Sequence, residues 1–196
     1  MSFRKEKKFK LSKSDYLNIK FNFLSKGMKE IFPSRIVNSC YFDSHNMRMF
    51  NESCEGILPR KKIRLRWYNS SRKINKEIKI SSSEGRFKQI SYYPFSTFKS
   101  IYQSKMFDND YGIIKPILLI RYKREYFSFQ GIRLTLDSDI RYKSLKNSLN
   151  RIIKEMFYVM ELKASSTISD DYLLNLFNYS DSGFSKFARG IELTKI

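Results

Sequence analysis

Arg64 and Arg66 stand two residues apart in Lys62-Ile63-Arg64-Leu65-Arg66-Trp67-Tyr68, and the same spacing returns along the chain. Arg4, Glu6 and Lys8 show it, as do Glu77 and Lys79, Tyr122 and Arg124, Arg133, Thr135 and Asp137, and Glu161 and Lys163. In an extended chain side chains alternate faces, so each stretch sets its ionic residues on one face and its apolar residues on the other. One such stretch reads most simply as a surface strand, apolar inward and basic outward. Repetition changes that balance, because carboxylates are mixed with the cations. Arginine and lysine in rows suit phosphate, which offers charge and acceptor oxygens that a guanidinium takes bidentately. Carboxylates among them have two duties open: orienting the cations, or holding Mg²⁺ or Mn²⁺ against phosphate oxygens. A surface for nucleic acid alone gains little from interleaved glutamates.

Composition sets the bounds of that chemistry. A chain of 196 residues with 41% hydrophobic and 16% aromatic content can fill a core, and residues 1–196 read as a single domain without a Pro/Gly/Ser-rich linker. The net charge of +19 points to a polyanionic partner: nucleic acid, an anionic membrane surface or phosphate-rich small molecules. His45 is the only histidine, which excludes sites needing several His ligands. No GxGxxG or GxxxxGK[ST] pattern occurs, so phosphate must be handled by side chains. Cys40 and Cys54 read as reduced thiols, and the compartment as cytoplasmic. The longest apolar run, Ile117 to Ile120, is far below the roughly 20 residues that span a bilayer, so any membrane association is peripheral or through a partner.

The elements that must position the ionic pairs follow from periodicity. A first strand carries Arg4 to Phe9; Ser12 or Ser14 caps a helix with Tyr16, Ile19, Phe23, Leu24 and Met28 at helical spacing, and Pro33 ends that unit. A strand runs from Ile36 to Phe42, and Asp43-Ser44 caps a short helix closed by Gly56. Lys61 to Trp67 and Lys76 to Ile80 form a hairpin that makes their ions cross-strand neighbours. Ser81 to Gln89 reads as a loop or short turn carrying Arg86 and Lys88, and Ser96 to Met106 as a helix. The longest strand follows Pro116, from Ile117 to Phe129; Gly131 turns it into Arg133 to Asp137. Leu145 to Glu155 reads as irregular or helical, Val159 to Lys163 as the last strand, and Ser169 or Asp170 as the cap of a helix to Phe177. Strands joined by short turns with helical connections predict an α+β fold: an antiparallel β-barrel with helices packed outside. If its ionic faces point inward, Lys8, Arg64, Arg66, Lys79, Arg124, Arg133, Lys163 and Lys186 cannot be left dry, since each unpaired buried cation costs several kcal/mol. Such an interior is wet or filled by anions.

Taken in order, Arg4-x-Glu6-x-Lys8-Phe9, Tyr41-Phe42-Asp43, Ile63 to Tyr68, Glu77-x-Lys79, Tyr122-x-Arg124, Arg133-x-Thr135-x-Asp137, Glu161-x-Lys163 and Ser185-Lys186-Phe187 resemble the VTC domain. That domain is the catalytic part of the vacuolar transporter chaperone polyphosphate polymerase, within the triphosphate tunnel metalloenzymes. Each motif is weak alone; the ordered series covers nearly the whole chain. The resemblance implies transfer of the γ-phosphoryl of ATP to phosphate or polyphosphate with Mn²⁺ or Mg²⁺. It implies that Arg64, Arg66, Lys79, Arg124 and Arg133 act in catalysis, and that Lys8, Tyr122, Lys163, Ser185 and Lys186 bind phosphate. Glu161 matches the metal-holding glutamate, and Glu77 and Glu6 are further metal candidates.

Two departures bear on the reading. Where relatives carry Lys-x-Arg after the Glu-x-Lys strand, Glu84 precedes Arg86 here, so Lys88 is the substitute cation. Arg4 stands where tunnel triphosphatases and adenylate cyclases begin a Glu-x-Glu-x-Lys pattern, which favours the polymerase. A triphosphatase acting on inorganic triphosphate or RNA 5′-triphosphate, and a non-catalytic polyphosphate-binding module, stay as alternatives; a basic RNA-binding protein ranks below both.

Overall fold

A computed structural model describes residues 4–94, 97–146, 151–177, 179 and 182–195, without the side chains of Arg4 and Phe98. The fold is α+β, and the ten strands among the described residues are ordered β1 (Arg4–Leu11), β10 (Tyr158–Ser165), β8 (Ile132–Ser144), β7 (Gly112–Phe129), β2 (Lys29–Asp43), β3 (Arg60–Tyr68), β4 (Asn75–Ser82) and β5 (Gly85–Tyr92), with β6 (Met106–Asp108) on β7 and β9 (Ile152–Lys154) on β8. The chain divides into two compact units: Met1–Arg35 with Tyr122–Ile140 and Glu155–Phe184, and Ile36–Arg121 with Arg141–Lys154 and Ser185–Ile196.

In the first unit β1 (Arg4–Leu11) pairs antiparallel with β10 (Tyr158–Ser165), which pairs with β8 (Ile132–Ser144). The alternation read from the sequence is observed. Phe9, Leu11, Leu134, Leu136, Met160 and Leu162 are buried together on one face, where Ile19 of α1 (Lys13–Ser25) and Leu173 and Phe177 of α4 (Asp170–Phe177) join them. Ser12 is the α1 cap: its hydroxyl accepts from Asp15 N while the Asp15 carboxylate accepts from Ser12 N. Met28 belongs to the core but lies beyond the end of α1, and Leu24 is exposed. The strand β7 (Gly112–Phe129) turns into β8 through Gln130 and Gly131, both at positive φ (49° and 75°), the primed turn whose twist matches the strands it joins.

In the second unit β2 (Lys29–Asp43), β3 (Arg60–Tyr68), β4 (Asn75–Ser82) and β5 (Gly85–Tyr92) pair antiparallel in that order. Ile63, Leu65 and Trp67 are buried with Cys40, Phe42 and Met49, the last on α2 (Arg48–Glu55). Asp43 secures α2 by accepting from the backbone N–H groups of Met49 and Phe50, and Gly56 closes it at φ 74°. The helix α5 (Lys186–Thr194), capped by Ser185, lies so close to the sheet that a Cβ on Gly190 would stand 2.7 Å from both Leu118 Cδ2 and Tyr142 Cδ1.

Several boundaries differ from expectation. Pro33 ends nothing: β2 begins at Lys29, and the proline lies in the exposed first part of the strand, where a missing N–H is tolerated. Between Ser81 and Gln89 only a short turn at Ser83 and Glu84 interrupts the strands, since β5 begins at Gly85; that strand is exposed along almost its whole length, so no buried face imposes a hydrophobic alternation. β7 begins before Pro116, at Gly112, where it forms a hairpin with β6 (Met106–Asp108). Between Leu145 and Glu155 the structure has β9 (Ile152–Lys154) on the edge of β8, while 147–150 lie outside the described residues. The helix expected from Ser96 is α3 (Phe98–Gln103), capped by Thr97, with Ser96 outside the described residues. No helix among the described residues is long and apolar enough to cross a membrane.

Candidate phosphate-binding faces

The register of the second unit builds three charged rows on the face opposite its apolar core. Ser39 of β2 opposes Arg66, which opposes Asn75; Tyr41 opposes Arg64, which opposes Glu77; and Lys62 opposes Lys79, which opposes Lys88. Glu77 is 4% exposed and organises the middle row. Its Oε2 accepts from Arg64 Nε at 2.8 Å and lies 2.6 Å from Arg64 Nη2 and 3.6 Å from Arg66 Nη1, while its Oε1 accepts from Lys88 Nζ at 2.8 Å. Burial alone would raise the Glu77 pKa, but Arg64, Arg66 and Lys88 outweigh it and hold the group at about 2. Lys88 moves down, because its desolvation and the two arginines outweigh its bond to Glu77.

Tyr41 completes the middle row. Its hydroxyl accepts from Arg64 Nη1 at 2.6 Å, and its ring stacks on Phe187 of α5 with centroids 4.9 Å apart. Burial pushes this phenol up, yet Arg64, Arg66 and Lys62 bring it down to about 8. Ser39 Oγ accepts from Arg66 Nε at 3.1 Å, so both arginines are held at a second point. Lys62 Nζ lies 3.2 Å from Ser185 Oγ, the cap of α5, and Lys186 is the first residue of that helix.

The charged face of the first unit carries more carboxylate. Glu6 opposes Lys163, which opposes Arg133; Lys8 opposes Glu161, which opposes Thr135. Arg124 bridges two acids: its Nε and Nη2 donate to Asp137 at 2.6 and 2.8 Å, and Nη2 also reaches Glu161 at 3.2 Å. Lys163 Nζ lies 2.9 Å from Glu161, and Lys8 Nζ lies 3.0 Å from Glu6. Burial would raise the Glu161 pKa, but Arg124, Lys163 and Lys8 hold it well below the carboxylate range. Arg124 lies 5.3 Å from the Tyr122 ring centroid, and Arg133 lies 5.9 Å from that of Tyr126 and 6.0 Å from that of Phe32.

The sequence-derived residues therefore gather as two sets. Arg64, Arg66, Lys79, Glu77, Ser185 and Lys186 belong to the second unit; Lys8, Glu6, Tyr122, Arg124, Arg133, Glu161 and Lys163 belong to the first. Tyr41 and Ser39 were not assigned roles from the sequence, although Tyr41-Phe42-Asp43 marked the stretch. The readable signal was the alternation of Ser39 and Tyr41 with the core residues Cys40 and Phe42. Lys88, named as a substitute cation, does meet Glu77.

A family model, the VTC domain, matches residues 3–195 of the chain. The chain belongs to the VTC domain family. No curated protein matches it. Solved structures share the fold of this VTC domain at low identity. An adenylate cyclase candidate from Bacillus halodurans is 15% identical, with 96% of this chain and 97% of that one covered and a TM-score of 0.67. HpAC1 from Hippeastrum, an adenylyl cyclase candidate described as having a dominant triphosphatase activity, is 15% identical, covered at 97% and 96% with a TM-score of 0.58. PH1819 from Pyrococcus horikoshii is 12% identical, covered at 97% and 98% with a TM-score of 0.56.

The carboxylates of the VTC domain bear on a metal ion. Among the described residues no three or more His, Cys, Asp or Glu side chains gather into a cage. A metal ion can also be shared between protein and substrate. One carried by one or two carboxylates together with phosphate oxygens and water, as Mg²⁺ usually is, fits Glu161 and Glu6, which lie diagonally across the β1–β10 pair. Glu77 stands among three cations, Arg64, Arg66 and Lys88, as Glu161 stands among Arg124, Lys163 and Lys8.

Proposed function

We propose that this VTC domain is a metal-dependent polyphosphate polymerase that transfers the γ-phosphoryl group of ATP to phosphate or to the end of a polyphosphate chain. An oxygen of the acceptor forms the new bond to the γ-phosphorus, the bond from that phosphorus to the β,γ-bridging oxygen breaks, and ADP leaves. The observation that carries the reading is the row Lys62–Lys79–Lys88, three like charges abreast on adjacent strands. Cations abreast on one face, beside Arg64 and Arg66, suit a polyanion lying along them.

The chain's own residues supply binding and orientation, which is most of what phosphoryl transfer requires. Arg64, Arg66 and Lys79 take the transferring phosphate, with Arg64 already fixed by Glu77 and Tyr41 and Arg66 by Ser39. Arg124 and Arg133 stabilise charge on the first unit's face, while Lys8, Tyr122, Lys163, Ser185 and Lys186 hold phosphate. Glu161, with Glu6, would hold Mn²⁺ or Mg²⁺, which when bound neutralises charge on the phosphate oxygens. Cys40 and Cys54 are both free thiols, which supports placing the activity in the reducing cytoplasm.

Water in place of the phosphate acceptor would make the same residues a triphosphatase, a reading favoured by the activity described for HpAC1. Incubation with ATP and Mn²⁺ separates the two. Long polyphosphate with ADP is expected; orthophosphate without polymer would overturn the polymerase in favour of the triphosphatase. Tight tripolyphosphate binding without any turnover would leave a binding module.

A further inference from the structure

Thr135 stands on β8 between Arg133 and Asp137, directly opposite Glu161 of β10, so alternation places it on the charged face of the first unit. It is 5% exposed, and its Oγ1 has no hydrogen-bond partner among the described residues. A desolvated hydroxyl without a partner is costly, and buried polar groups are seldom left so. The acceptors beside it are already engaged. Both Asp137 oxygens accept from Arg124, and the Glu161 oxygens face Lys163 and Arg124. Valine would fill the same strand position without a polar group to satisfy, and valine is at least as favourable in a strand. The neighbouring row is Lys163 opposite Arg133, so two cations flank the hydroxyl on the side away from Asp137.

We infer that Thr135 is a substrate-binding residue, donating its Oγ1–H to a non-bridging phosphate oxygen held by Arg133 and Lys163. The inference rests on the reading of this face as a phosphate site. A neutral donor there adds a directed bond without adding to the mutual repulsion of the cations, and it costs the ligand-free protein an unpaired hydroxyl. Thr135→Val therefore moves stability and binding in opposite directions, which a residue needed only for packing would not do.

The test is calorimetric binding of tripolyphosphate to the full chain and to Thr135→Val, Thr135→Ser and Thr135→Ala, with the ligand-free melting temperature of each. Thr135→Val is expected to melt at or above the wild-type temperature and to bind at least about tenfold more weakly, the loss typical of a hydrogen bond to a charged group. Thr135→Ser, which keeps the hydroxyl, is expected within about threefold of wild type by the same reasoning. Should Thr135→Val fail to fold, Thr135→Ala removes the same hydroxyl and carries the comparison. If the wild type binds and the hydroxyl-free variants bind equally well, the inference is wrong and the phosphate reading stands. Equal weakening in Thr135→Ser and Thr135→Val would assign the effect to the methyl group and also overturn it. If the wild type itself does not bind, the phosphate reading falls and the inference with it.

Discussion

Replacing Glu77 by glutamine separates the orienting role of this carboxylate from a metal-binding one. The group is 4% exposed, and its pKa falls from 4.5 to about 2 on folding, because Arg64, Arg66 and Lys88 surround it. A difference of about 2.5 pKa units corresponds to roughly 3 kcal/mol at ~1.36 kcal/mol per unit. The folded state holds its proton less tightly than the unfolded one, so this stabilisation is present above pH 4.5 and is lost as pH falls toward 2. Glutamine keeps the shape and removes the charge, leaving two arginines and a lysine facing one another. Urea unfolding followed by fluorescence of Trp67, the only tryptophan, reads the unit in which the change is made. At pH 7 Glu77→Gln is expected to be less stable by about 2–4 kcal/mol, with the gap narrowing below pH 4. Equal stability at pH 7 would refute the electrostatic account. In turnover the half-saturating Mn²⁺ concentration is expected to stay unchanged for Glu77→Gln and to rise for Glu161→Gln; a rise for Glu77→Gln would return Glu77 to the metal.

Changing Arg64 and Arg66 together to alanine is expected to abolish tripolyphosphate binding, read by calorimetry, while the urea transition stays cooperative, since neither residue belongs to the apolar core. Leu65→Ala, on the dry face of the same strand and fully buried, should instead cost roughly 2–5 kcal/mol in that transition and leave the binding constant intact in the folded fraction. Tyr41 should titrate with a midpoint near 8, visible as a 295 nm absorbance step that Tyr41→Phe removes. Because its folded pKa of about 8 lies below the ordinary 10.0, the unfolded chain holds the proton over that interval, and the Tyr41 contribution to stability grows from pH 8 toward 10. Bound triphosphate would push that midpoint back up by neutralising Arg64, and an unmoved midpoint would argue against contact at this row.

The strands that carry the site were legible because burial on one side imposes a strict period of two: β3 reads Ile63, Leu65 and Trp67 inward, and the structure buries all three. The same logic made β1, β4, β8 and β10 readable, with their ions on the opposite face. It failed where no buried face imposes a pattern. β5 carries Arg86, Phe87, Lys88, Gln89 and Ile90 on a strand exposed along its length, so its pairing rests on register with β4 and not on a hydrophobic signal. The prolines misled for a related reason. A proline signals a break only where its missing N–H would have been needed, and Pro33 stands in the exposed first part of β2. α5 escaped the reading because its helical signal hinges on Gly190, a poor helix former by propensity that is required here by the approach of Leu118 and Tyr142. Roles such as those of Tyr41 and Ser39 stayed hidden because sequence alternation gives a face, whereas the distances to Arg64 and Arg66 come only from pairing across strands.

The same alternation produces two electrostatically different faces. In the second unit Lys62, Arg64, Arg66, Lys79 and Lys88 share one charged face, on which Glu77 meets Arg64, Arg66 and Lys88. In the first unit Lys8, Arg124, Arg133 and Lys163 stand among Glu6, Asp137 and Glu161, and the ions largely satisfy one another. Arg124, Lys163 and Lys8 each have a carboxylate to hold them, whereas Arg133 stands against the Tyr126 and Phe32 rings. Interleaved glutamates are therefore not an anomaly in a basic protein. Their uneven distribution makes one face richer in carboxylate than the other, and the period-two pattern alone could not show which strand belonged to which.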